Sequence, residues 1–305
     1  MYTEFFGLTE PPFSLTPNTS FFIGSATHQE ALNTLLVAVR SGEGFMKIVG
    51  EVGTGKTLLC RTFLNRLEQD GYITAYIPNP YVGPNTLLLG VADELGIAYP
   101  EKLNQHQLLK LLTEFLVAVA TEGKRVVLCL DEAQAMPVET LEALRLLTNL
   151  ETERAKLLQV VLFGQPELNQ RLDEERIRQL KQRITFTYQL RSLSQEEVGY
   201  YVGNRLAIAG YKGMRLFTDG AIKRLYRGSG GVPRLVNILA NKALLAAYGE
   251  GQREVKEKHV DLAVADTESA SGRLGHLRSR MARYVATLFT TAVVSVGLLR
   301  FFGQL

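Results

Sequence analysis

The sequence predicts an α/β fold: a parallel sheet with helices on both faces, then a small helical domain and a C-terminal hydrophobic helix. Three observations carry that expectation. Strand-like runs at 45–49, 72–77, 126–130 and 157–163, with an alternating one at 185–189, are interleaved with stretches of helical spacing, the pattern of strand-helix-strand crossovers. The run 126–130 is apolar at every position, which suits a strand buried on both faces. Past residue 190 only helical spacing remains.

Taken in order, Pro11, Pro12 and Pro17 stiffen an arm flanked by Phe13, Phe21 and Phe22. A helix follows at 28–39, with Ala31, Leu32, Leu35, Leu36 and Val39 on one face. The strand at 45–49 runs into Gly50-Glu51-Val52-Gly53-Thr54-Gly55-Lys56-Thr57, which fits G-x-x-x-x-G-K-[ST]. Leu58, Leu59, Phe63, Leu64 and Leu67 then recur at helical spacing up to a stop at Gly71. Helices are expected at 86–95 and 105–119, and in the C-terminal part at 196–208, 218–226, 233–248 and 256–266. Ser194 and Thr218 stand as capping residues there.

The loop between strand and helix is a phosphate cradle. Its glycines let successive N–H groups face phosphate oxygens, and the helix N-terminus adds a favourable dipole. Lys56 is placed to bridge the β- and γ-phosphates of ATP, and Thr57 to put its hydroxyl on Mg²⁺. The Pro-rich arm could close over the adenine ring, or simply pin the N-terminus to the core.

A second magnesium anchor is expected at the end of the 126–130 strand, where Asp131 emerges, followed by Glu132. Asp131 is the metal partner in this reading, and Glu132 orients the attacking water. Taken without the loop, the two acids could merely open the next helix, where the dipole favours negative charge.

The chain has 305 residues, room for two packed units and a tail, and its 46% hydrophobic content is that of an ordinary globular protein. With 34 basic and 31 acidic residues, the net charge of +3 is too balanced for wholesale nucleic-acid coating. Its two cysteines, Cys60 and Cys129, fall in the loop helix and the Asp131 strand. They read as small buried apolar side chains in a reducing compartment. The N-terminus shows no basic segment followed by an apolar run, so the nucleotide domain is expected in the cytoplasm.

The tail has a different character. Four arginines and His276 lie between 273 and 283 without an acid, and residues 284–299 are free of charge. As a helix, 284–302 would span about 28 Å, near the roughly 30 Å of a hydrocarbon core. The preceding arginines would hold the bulk of the protein on the cytoplasmic side. Thr287, Thr290, Thr291 and Ser295 dilute the apolar signal, which leaves an interfacial or core helix as the other reading.

The loop, the two-acid strand end and the helical C-terminal part together resemble the AAA+ ATPases. Within them the chain is similar to the branch holding general secretion pathway protein A and the MSHA pilus biogenesis ATPase. The matching residues are Phe5-Phe6-Gly7-Leu8, Pro12-Phe13-Ser14-Leu15-Thr16-Pro17, His28 with Glu30-Ala31, Gly50 to Thr57, Asp131-Glu132-Ala133-Gln134 and Phe163-Gly164-Gln165-Pro166-Glu167-Leu168. The resemblance, which covers most of 1–265, implies a nucleotide-binding domain over 1–190 and a helical lid over 191–265, while the residue pattern adds a basic linker over 266–283 and a membrane anchor over 284–302.

It further implies that Gln165 senses the γ-phosphate, and that Arg234, in Gly231-Val232-Pro233-Arg234, reaches the nucleotide from the lid. Arg183 stands where related ATPases carry an arginine finger for a neighbouring subunit, with Arg178 as its rival, so a homo-oligomer is expected. A peptidoglycan-binding region like that of larger members is not expected, because the sequence stops at Leu305. The function implied is an inner-membrane ATPase, bound to ATP and Mg²⁺, that drives or gates assembly of a type II secretion or MSHA-like pilus complex with its membrane partners. Transposition and replication-initiation ATPases share the architecture and bind DNA, and remain the alternative. A helicase is disfavoured because 191–305 shows no strand pattern for a second motor.

Overall fold

A computed structural model describes residues 1–16, 19, 26–148, 150 and 156–267. Pro17, Phe21, Phe22 and the apolar run 284–302 lie outside these residues, as does the basic linker beyond Thr267. The chain divides into two units: Leu15–Leu193, and Met1–Ser14 together with the chain from Ser194 onward.

The N-terminal helix α1 (Tyr2–Phe6) ends at Gly7 and belongs to the helical unit. The α/β unit then runs through α2 (Ala26–Arg40), β1 (Phe45–Gly50), α3 (Lys56–Gln69), β2 (Ile73–Ile77), α4 (Pro84–Glu94), α5 (Gln105–Thr121) and β3 (Val126–Leu130). After these come α6 (Val138–Leu147), β4 (Leu158–Gly164), α7 (Glu167–Leu172), α8 (Arg178–Lys181) and β5 (Phe186–Leu190). The five strands form one sheet in the order β2-β3-β4-β1-β5, and every pairing is parallel.

Alternation along the strands builds the two faces. Val126, Leu128, Leu130, Val160 and Leu162 join Leu88 and Val91 of α4, Leu112 of α5 and Leu144 of α6 in one core layer. Met46, Ile48, Val127, Cys129, Val161 and Phe163 join Leu35 of α2 and Leu59, Phe63 and Leu67 of α3 in the other. Leu59, Phe63 and Leu67 have no exposed surface, and burial of each contributes about 1.5–3 kcal/mol. That packing fixes α3 and the loop before it.

The helical unit contains α9 (Gln195–Ile208), α10 (Asp219–Ser229), α11 (Pro233–Gly249) and α12 (Glu257–Ala265). Ser194 caps α9 through a reciprocal pair with Glu197, and Thr218 Oγ1 accepts from Ala221 N–H at the start of α10. The first residues of the chain, expected with the nucleotide-binding domain, pack here instead. Buried Arg205 of α9 donates to Pro12 O at 2.6 Å and Ser14 O at 3.2 Å, and the Phe13 ring meets Phe217 edge-on at 6.0 Å. A guanidinium with several carbonyl acceptors reaches across nearly 200 residues of sequence, so no local pattern announces it. Among the described residues no helix is long and apolar enough to cross a membrane.

Candidate nucleotide site

The parallel order brings the C-terminal ends of β1, β4 and β3 to one edge of the sheet, where open α/β sheets hold their ligands. β1 ends at Gly50 and opens into the loop, β3 delivers Asp131 and Glu132, and β4 delivers Gln165. The sequence expectations for these elements thus meet in space.

Within the loop, Thr54 is fully buried and its Oγ1 donates to Glu51 O at 2.7 Å. Gly55 sits at φ 96° just before α3, backbone that an L side chain adopts only under strain. A Cβ there would also lie 2.8 Å from His28 Nε2. That nitrogen is 2.7 Å from Thr54 O. A carbonyl can only accept, so Nε2 carries the proton and the imidazole of α2 holds the loop peptide in place.

Lys56, 5% exposed, donates to Gly50 O at 2.8 Å and Glu51 O at 3.0 Å. Burial pushes its pKa down, and the nearby Glu132 and Asp131 pull it back up. The ammonium therefore lies folded onto its own loop, ready to exchange carbonyls for stronger phosphate acceptors. Thr57 Oγ1 donates to Asp131 Oδ2 at 2.6 Å. Burial raises the pKa of Asp131, against the Thr57 hydroxyl and the Glu132 N–H that favour its charge. Tyr76 of β2 points its phenol at the same Oδ2 from 3.4 Å, and burial raises its pKa as well.

This pair of hard oxygens fits Mg²⁺, which keeps most of its waters and takes few protein ligands beside substrate phosphates. Among the described residues no three His, Cys, Asp or Glu side chains gather into a metal cage. The donor set suits an ion that arrives with its nucleotide.

Glu132 has φ 53° and ψ 36°, the one left-handed non-glycine among the described residues. Such a residue costs on the order of 1–2 kcal/mol, and strain of this kind gathers at functional sites. A 3₁₀ turn, Ala133–Ala135, follows at once in place of a full helix start. Glu132 Oε2 accepts from Gln134 Nε2 at 2.5 Å and from Gln165 Nε2 at 3.0 Å. Gln165 is thus beside Glu132, as its strand position suggests.

The arginines are placed differently. Arg183 lies just past α8, half-buried, and its Nη1 donates to Thr148 Oγ1 at 3.3 Å. Arg178 is exposed at the start of α8. The two therefore do not share one surface helix. Arg234 is exposed in the first turn of α11, behind Pro233, in the helical unit. Cys60 and Cys129 are both buried and free, and burial with the neighbouring thiol pushes Cys60 well above the ordinary thiol range.

Sequence reasoning gave no role to His28, Tyr76 or Gln134. His28 and Gln134 stood only among residues carrying a resemblance. Tyr76 looked like any strand aromatic.

A family model described as an AAA domain matches residues 39–172. The sheet and the loop agree with that match, which shows an AAA domain within the chain. General secretion pathway protein A of Aeromonas hydrophila is 45% identical over 263 residues, which cover 86% of this chain and 48% of that protein. The chain is thus its homologue while spanning about half its length. Among solved structures, Cdc6p from Pyrobaculum aerophilum aligns with TM-score 0.63 and 18% identity, over 80% of this chain and 67% of that one. The ORC2 protein of Aeropyrum pernix, in ADPNP-ADP complexes, gives 0.58 and 20% identity over 80% and 68%. At such identities they speak for the fold alone.

Proposed function

We propose that the chain binds ATP with Mg²⁺ and hydrolyses it to drive or gate assembly of a type II secretion or MSHA-like pilus complex. The observation that carries the chemistry is the convergence of Lys56, Thr57, Asp131 and Glu132 on one sheet edge. Lys56 and the loop N–H groups from Gly50, Glu51, Val52, Gly53, Thr54 and Gly55 bind the phosphates, Lys56 leaving its two carbonyls to do so. Thr57 and Asp131 hold Mg²⁺, whose charge offsets that of the phosphoryl oxygens.

Glu132 orients the attacking water and takes its proton toward the carboxylate. Gln165 aligns that water against the γ-phosphate, as an amide that both donates and accepts. Arg234 adds a fixed charge from the helical unit, which acts as the lid. Arg183, or Arg178 in its place, acts on the site of a neighbouring copy in a homo-oligomer. Exposed Arg178 is free to reach out, whereas Arg183 must first leave Thr148.

The secretion assignment rests on the homologous protein's name and on 86% coverage of this chain. The basic stretch 273–283 and apolar run 284–302 support attachment to the inner membrane with the ATPase on its cytoplasmic side. Purified full-length chain is expected to turn over ATP only with Mg²⁺, at a specific rate that rises with protein concentration. Lys56→Ala should weaken ATP binding by about 100-fold or more, and turnover with it. No heat of Mg-ATP binding to folded protein, with Lys56→Ala indistinguishable from wild type, would overturn the reading. Deleting 284–305 should release the protein from washed membranes, and retention by the deleted chain would remove the anchor from it.

A further inference from the structure

Gln134 makes two bonds in opposite senses. Its Nε2 donates to Glu132 Oε2, and its Oε1 accepts from the backbone N–H of Gln165 at 3.0 Å. The same carboxylate oxygen also accepts from Gln165 Nε2. A closed ring of three hydrogen bonds therefore joins the end of β3 to the end of β4. Two further features make the ring possible. The left-handed turn at Glu132 and the 3₁₀ turn after it fold Gln134 back over its own carboxylate neighbour two residues away. At Gly164, a Cβ would meet Gln134 Oε1 at 3.3 Å and Leu168 Cδ2 at 2.7 Å. The bare backbone of Gly164 is what lets the amide lie close to the β4 end.

We infer that Gln134 is a positioning residue: it sets the Glu132 carboxylate and locks it to Gln165, so that the water-orienting acid and the phosphate-facing amide keep one fixed separation. This rests on the ATPase reading above for its consequence. Both Gln134 bonds end on Oε2 or on the Gln165 backbone, and among the described residues no protein donor is recorded at Glu132 Oε1. Oε1 is then the oxygen left for water. A half-satisfied arrangement would let the carboxylate swing, and positioning groups of this kind typically matter by 10- to 100-fold in rate.

Two variants separate the two bonds. Gln134→Ala removes both: kcat should fall by about 10- to 100-fold while the Kd for ATP stays within about threefold, since Lys56 and the loop are untouched. In the same variant without nucleotide, the Gln165 amide proton, followed by NMR, should exchange about tenfold faster as it loses its acceptor. Gln134→Glu keeps an acceptor for Gln165 N–H but sets a second carboxylate against Glu132. Exchange at Gln165 should return to the wild-type rate while kcat stays low.

Unchanged or increased kcat in Gln134→Ala overturns the inference, as does full turnover in Gln134→Glu or unaltered Gln165 exchange in Gln134→Ala. A wild-type chain that binds no ATP would sink the ATPase reading instead, and the exchange measurement would still decide whether the ring exists.

Discussion

On the loop half of the site, Lys56 donates to Gly50 O and Glu51 O, and Thr57 donates to Asp131. A nucleotide and its ion would have to displace each of these contacts. On the strand half, Glu132 is held by the amides of Gln134 and Gln165, and a ligand can leave those bonds intact. The loop half is therefore held by placeholders, and the strand half by its final partners. The difference separates binding from turnover: changes in the loop should act on ATP affinity, and changes at the β3 and β4 ends should act on kcat.

The sharpest way to break that comparison is to exchange one acid for its amide. Glu132→Gln keeps the size and the hydrogen-bonding reach of the side chain but removes its basicity. Turnover should drop by about 10²–10⁴-fold, with the Kd for ATP nearly unchanged by calorimetry. If affinity fell in step with turnover, the two halves would not be separable. Lys56→Ala tests the other side. Losing its charge-assisted bonds to phosphate should weaken ATP binding by about 100-fold or more, from roughly 3 kcal/mol.

A smaller effect is expected where the loop is braced from behind. His28→Ala removes the donor to Thr54 O, a buried carbonyl, and leaves space beside Gly55. The loop should loosen, with ATP affinity down by about tenfold and stability by about 1–2 kcal/mol, while kcat at saturating ATP changes little. A kcat loss larger than the affinity loss would place His28 with the strand half.

Much of this was legible in the sequence for an unequal set of reasons. The strand 126–130 and the helix start at Pro233 coincide with the structure because burial on both faces and a proline at a helix N-terminus are local signals. The five-residue α1 was not anticipated, because it is too short to hold itself and is fixed by contacts such as Phe5 against Tyr248 at 5.3 Å. Helix α6 was also passed over, although Leu141, Leu144 and Leu147 are buried along it; Pro137 and the turn before it look like an ordinary break. The acids Asp131 and Glu132 were readable from their strand. Their surroundings were not, since the Gln134 ring depends on a positive φ at Glu132 and His28 acts on a peptide 26 residues away.

The smallest effect tests how the strand half is braced. Lys47, inside β1, is buried and donates from Nζ to Asn169 Oδ1 at 2.7 Å. Asn169 lies on α7, the helix that starts directly after Gln165 and Pro166. Burial, then repulsion from Lys181, lowers the Lys47 pKa below its ordinary 10.5, partly offset by Asp173. The unfolded chain therefore binds this proton more tightly than the folded one. Stability should rise as pH climbs from the folded value towards 10.5, and the gain is lost as pH falls back through the folded value. Lys47→Met keeps the length and apolar bulk but cannot titrate, so its denaturation midpoint should lack that alkaline rise. Because α7 leads away from Gln165, its turnover should fall about two- to fivefold with ATP affinity unchanged, in line with loss of one hydrogen bond worth ~0.5–1 kcal/mol. An affinity change without a kcat change would show that the bracing of β1 serves the loop it enters rather than the strand end beside it.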